Sequence, residues 1–115
     1  QFAKALNVSE DASDTCDWQY MNGMYFKDGT GAITLTLEAS GVTTFEPGAM
    51  TQILNAHAST GDITVTEGTG TTLYVMDGSS VTDSAGNATI APGGYATLYR
   101  HSATVYYLFG AGVTA

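Results

Sequence analysis

Apolar and polar residues alternate with a period of two through most of this chain. At 32–37, Ile33, Leu35 and Leu37 fall on one side and Thr34 and Thr36 on the other. Ile63 and Val65 alternate with Thr64 and Thr66, and Leu73 and Val75 with Tyr74 and Met76. Neighbouring side chains of a strand point to opposite faces, so this pattern predicts strands with one buried face. Further strands are expected at 18–21, 24–27, 42–45, 50–54, 88–90, 95–100 and 104–109. Turn signals separate them, among them Asn22-Gly23, Ser40-Gly41, Pro47-Gly48, Pro92-Gly93-Gly94 and His101-Ser102. Asn22-Gly23 lies between two aromatic runs and predicts a hairpin, because both turn positions favour residues that tolerate positive φ. The longest polar stretch, 77–87, reads as a surface loop.

Short strands broken by turns about every 8–12 residues are the pattern of an all-β fold, here a small antiparallel β-sandwich of jelly-roll or TNF-like type with about nine strands. No self-similarity at a spacing of 20–50 residues is visible, so a solenoid or propeller is not expected. Residues 1–17 stand apart. They hold Phe2 and Leu6 near Lys4, then Glu10, Asp11, Asp14 and Asp17 without an apolar period. The expected organisation is an N-terminal arm and acidic loop over 1–17 and one β-sandwich domain over 18–115.

Composition sharpens this reading. The 115 residues amount to one domain. Threonine occurs 18 times, a residue that suits a pleated, half-buried surface. Eleven Asp and Glu stand against three Lys and Arg, a formal net charge of -8. Three cations cannot build the basic stripe that a phosphate backbone requires, and the same charge disfavours an anionic membrane surface. Neither nucleic acid nor membrane is therefore an expected partner. With so few ionised side chains, much of the exterior must be Thr, Ser, Gly, Ala and Tyr. Such a surface suits contact with other protein.

Candidate chemistry is sparse. His57 and His101 fall on different expected turns, and Cys16 has no partner cysteine, so a zinc set is incomplete. Asp14 and Asp17 flank Cys16 and raise a thiol's pKa, which makes it a poor nucleophile. The acidic stretch 10–17 lacks the spacing of a calcium loop, and Gly68, Gly70 and Gly78 precede no helix that would make a phosphate loop. No catalytic, cofactor-binding or metal residue is expected, and an enzyme is not expected. The tyrosines are more informative. Tyr95, Tyr99, Tyr106 and Tyr107 crowd the last hairpin beside Phe109. Alternation places Tyr107 and Phe109 on one face and Tyr106 and Leu108 on the other. Both faces are then apolar, so the hairpin is either central in the fold or covered by a neighbouring subunit. A sugar platform is the other use of exposed aromatics.

The stretch from Ile53 onward carries a resemblance. It includes Gly61-Asp62-Ile63-Thr64-Val65, Gly70-Thr71-Thr72-Leu73-Tyr74-Val75 and Ile90-Ala91-Pro92-Gly93-Gly94-Tyr95-Ala96-Thr97-Leu98-Tyr99-Arg100, and ends Val105-Tyr106-Tyr107-Leu108-Phe109-Gly110-Ala111-Gly112. This resembles a β-rich module of tailed-bacteriophage virion proteins, seen in tail-fibre ends and small exterior proteins. The module's pattern is a Gly-Gly-x-Ala-Thr-Leu strand, a polar turn, then an aromatic strand closing at Gly. The family often has Trp where Tyr106 or Tyr107 stands here. The resemblance implies a structural virion part on the particle exterior, made in the host cytoplasm, trimeric and without catalytic residues. The chain shows no heptads and no Gly-X-Y shaft, which favours a capsid decoration protein that stabilises the head and contacts the major capsid protein. The alternative is a tail-fibre or spike tip that binds a host surface glycan or protein. The expected contact residues are Phe2, Leu6, Tyr95, Tyr99 and Tyr106.

Overall fold

A computed structural model describes residues 5–8, 13–56 and 61–115, the first stretch as backbone. The chain winds before it folds back. Strands β1 (Ala5–Val8), β3 (Met24–Lys27) and β5 (Met50–Asn55) lie side by side in one parallel ladder. Strands β2 (Asp14–Cys16), β4 (Ile33–Leu37) and β6 (Ile63–Thr66) form a second parallel ladder. Each passage from the first ladder to the second makes one coil, and three coils stack.

The end of this stack is closed by antiparallel strands. After β7 (Thr72–Met76) and its partner β8 (Val81–Asp83) comes β9 (Asn87–Arg100), which crosses both ladders. Its first part runs antiparallel to β6, with Ile90 beside Ile63, and its second part antiparallel to β5, with Tyr95 beside Leu54. Pro92 and Gly93 sit between the two parts, where Gly93 takes φ 82. The last strand, β10 (Val105–Thr114), returns along β9 and holds β7 as a parallel neighbour on its far edge.

The all-β expectation therefore holds, with ten strands among the described residues. The pairing is mixed rather than antiparallel, and the coils are a solenoid-like feature that the sequence did not lead us to expect. The reason is visible in the register. Ala5 stands beside Met24, an offset of 19, but Met24 stands beside Gln52, an offset of 28. Unequal loops erase any fixed repeat, and period two is the same for parallel and antiparallel strands. Asn22-Gly23 closes no hairpin either. Residues Trp18–Tyr20 form one 3-10 turn, capped by the Asp17 carboxylate, which accepts the Gln19 N–H at 3.1 Å. Asn22 does adopt φ 57, as the sequence suggested. Its N–H donates to the Met50 carbonyl at 2.6 Å, so the turn ties the second coil to the third. Residues 42–45 form no strand, and β8 lies inside the expected 77–87 loop. Strands β1 and β2 belong to the ladders, so the described part of 1–17 is built into the sheet rather than held apart as an arm.

The inward faces of both ladders share one core. Across the second ladder run the rows Ile33–Ile63–Ile90 and Leu35–Val65–Ala88. Across the first run Tyr25–Ile53–Ala96 and Thr51–Leu98–Leu108–Val75. Fully burying each Leu or Ile stabilises by roughly 1.5–3 kcal/mol. Coil-to-coil contact is close enough to need glycine at Gly68, where an added Cβ would stand 2.4 Å from the Glu38 backbone.

Candidate functional site

Alternation on five neighbouring strands builds one outward face over β5, β9, β10, β7 and β8. Its first row reads Met50–Tyr99–Tyr107–Tyr74, with Asp83 at the margin. A second row reads Gln52–Thr97–Phe109–Met76–Val81. A third holds Leu54, Tyr95 and Ala111. The Tyr74 and Tyr107 rings stack at 5.6 Å and the Tyr99 and Tyr107 rings at 6.5 Å. The His101 ring meets Tyr107 edge-on at 6.0 Å. Tyr95, Val81, Met50, Met76 and Phe109 are the exposed apolar side chains here, Tyr95 being 58% exposed.

Of the residues expected to make contacts, Tyr95 and Tyr99 lie on this face. Tyr106 does not. It is fully buried, and the Arg100 guanidinium lies 4.9 Å from its ring centroid. Parity explains the correction: Tyr106 and Leu108 point to the core, so Tyr107 and Phe109 hold the outward positions. Phe2 lies outside the described residues, as does the side chain of Leu6. His57, Glu10 and Asp11 are outside them too.

The cations are hidden. The chain's Lys and Arg are Lys4, Lys27 and Arg100, and the two within the described residues are both at 0% exposure. Lys27 donates to the Gly29 carbonyl at 2.6 Å, inside the coil stack. The described surface thus carries carboxylates and no Lys or Arg, a feature that composition alone could not reveal. Cys16 is free and fully buried, and burial pushes its thiol far above the ordinary range, with Asp17 adding to the effect. Among the described residues no three His, Cys, Asp or Glu gather as a metal-holding group. Among the described residues no helix is long and apolar enough to cross a membrane.

A second feature lies on the other ladder. An open groove of about 670 Å³ has Trp18 on its wall, 48% exposed, with Thr15, Asp17, Thr36, Glu67 and Thr69 around it. Asp17 and Glu67 have structural duties as well, since a Glu67 oxygen accepts the Leu73 N–H at 2.6 Å. The outward face of this ladder is a threonine array. One row, in register, is Thr15–Thr36–Thr66–Asn87 and the next is Thr34–Thr64–Thr89–Thr114. The alternation at Thr34, Thr36, Thr64 and Thr66 was legible in the sequence. Their alignment across strands distant in sequence was not.

Comparison with family models, curated proteins and solved structures finds no match for this chain. The functional reading rests on its geometry and its sequence.

Proposed function

We propose that this chain is a structural protein of a tailed-bacteriophage particle, a decoration protein on the head exterior that associates with copies of itself and with the major capsid protein. The observation that carries the reading is the uncharged aromatic face around Tyr95, Tyr99, Tyr107 and Phe109. A chain of net charge -8 repels its own copies wherever carboxylates meet. This face has Asp83 alone, at its margin, and so lets two copies approach. Two rows of five positions and one of three, with strands about 4.8 Å and rows about 6.7 Å apart, project on the order of 400 Å² per copy. Two such faces reach about 800 Å², the size of a weak contact that repetition on a particle surface adds up. Tyr is well suited to the task, with a large ring and a hydroxyl that can stay hydrated. The particle and the trimeric state come from the resemblance at 53–112.

Purified protein added to heads stripped of exterior proteins tests this reading. Saturable binding in many copies, with protection against heat or osmotic shock, is the expected result. Heads that gain neither protein nor protection overturn it. A second reading, a tail-fibre or spike tip, draws support from the open groove at Trp18, a concavity with an exposed aromatic ring on its wall.

A further inference from the structure

We propose that the Trp18 groove and the threonine row leading from it bind a linear, uncharged polysaccharide chain. The inference names a site and a ligand class for the tail-tip reading, and it does not need the assembly reading. Two observations meet here. Trp18 lines the wall of an open groove with about half of its surface exposed, and the apolar C–H face of a sugar ring stacks on an indole. The hydroxyls of Thr15, Thr36 and Thr69 beside it are committed to no hydrogen bond among the described residues. Each can both donate and accept, which is what a sugar hydroxyl needs.

The row continues past the groove. Thr36 is followed in register by Thr66 and Asn87, each one strand farther on. Strand spacing of about 4.8 Å is comparable to the length of one sugar ring, so successive strands offer a polar group to successive units of a chain. An extended ligand thus meets the groove and then the row, which a compact one could not.

Charge selects the class of sugar. The groove brings Asp17, Glu38 and Glu67 together, and Glu38 is already held by Arg100. No exposed Lys or Arg among the described residues can answer a uronate, sialate or sulfate. An anionic glycan would be repelled, whereas carboxylates accept readily from neutral hydroxyls.

Trp18 is the chain's single tryptophan, so its emission reports on the site directly. Cellohexaose, chitohexaose, maltohexaose and laminarihexaose are titrated into the intact protein, with alginate and heparin as anionic controls. At least one neutral oligosaccharide should change the emission saturably, and neither control should. Calorimetry then compares two variants whose fold is checked by circular dichroism. Trp18→Ala should weaken binding by on the order of tenfold or more, and so should the near-isosteric pair Thr36→Val with Thr66→Val. No response to any neutral oligosaccharide, equal binding of the anionic controls, or wild-type affinity in either variant would overturn the proposal. Sedimentation of the same samples reads self-association separately, so failure of the glycan site and failure of the assembly reading remain distinct.

Discussion

Arg100 and Glu38, 62 residues apart in sequence, meet 3.1 Å apart in the protein interior. Arg100 sits where β9 ends, and Glu38 just after β4. The guanidinium also donates to the carbonyls of Ala39, Val42, Phe45, Ser102 and Ala103, so all of its nitrogens are engaged. Glu38 in turn accepts the Phe45 N–H at 2.8 Å and the Thr44 hydroxyl. One buried charge pair therefore fastens the segment after β4 to the turn of the closing hairpin.

Removing one partner of this pair leaves a buried charge without compensation. Arg100→Met or Glu38→Leu should each destabilise by about 3–5 kcal/mol in urea denaturation. The double variant should lose less than the sum of the two, because neither orphan charge remains. Additive losses would show that the two side chains act independently.

The outward aromatic face gives a second expectation. Tyr95→Lys with Phe109→Lys changes two exposed positions on the outward side of β9 and β10. The fold should survive, as read by circular dichroism, while sedimentation velocity shows loss of the self-associated species. Copies that still associate to the same extent would place the contact elsewhere.

Three phenols should make the protein sensitive to alkali. Burial raises the pKa of Tyr20, Tyr25 and Tyr106 well above the ordinary tyrosine value, and for Tyr20 its hydrogen bond to Asp14 adds to the effect. A raised pKa in the folded state favours the protonated form. Its stabilising contribution is therefore complete below the unfolded value of about 10 and is lost as pH climbs above it. Ultraviolet titration should show these phenolates forming together with cooperative unfolding. Ionisation of all three before any loss of circular dichroism would contradict it.

Asp77 should behave in the opposite sense. The N–H groups of Ser79 and Ser80 and the Ser79 hydroxyl donate to its carboxylate, which lowers its pKa to about 2. A depressed pKa stabilises the 77–80 turn above the unfolded value of about 4, and the contribution fades as pH falls towards 2. Carboxyl carbon shifts in NMR should place the midpoint near 2, and Asp77→Asn should flatten the response of the Ser79 and Ser80 amides.

Much of the local structure was legible from residues alone. The pattern Ile33-Thr34-Leu35-Thr36-Leu37 gave a strand and its buried side, and the same holds at Ile63, Val65, Leu73 and Val75. The closing hairpin at His101-Ser102 is where turn chemistry placed it. Asn22-Gly23 was read correctly as a turn, with positive φ at Asn22 though not at Gly23, and incorrectly as a hairpin, because a dihedral preference does not say which strand comes next. Tyr106 and Tyr107 were correctly separated onto two faces. Which face met the core depended on what β10 packs against.

The sequence by itself determined the all-β class, the inward and outward sides of β4, β6 and β7, and the acidic balance, since each follows from a side chain and its near neighbours. Tertiary structure alone decided the parallel coils, the burial of Lys27 and Arg100, and the alignment of Thr15, Thr36 and Thr66 beside Trp18. Those depend on which distant strands share hydrogen bonds, and unequal connecting loops leave no trace of that pairing in the spacing of the residues.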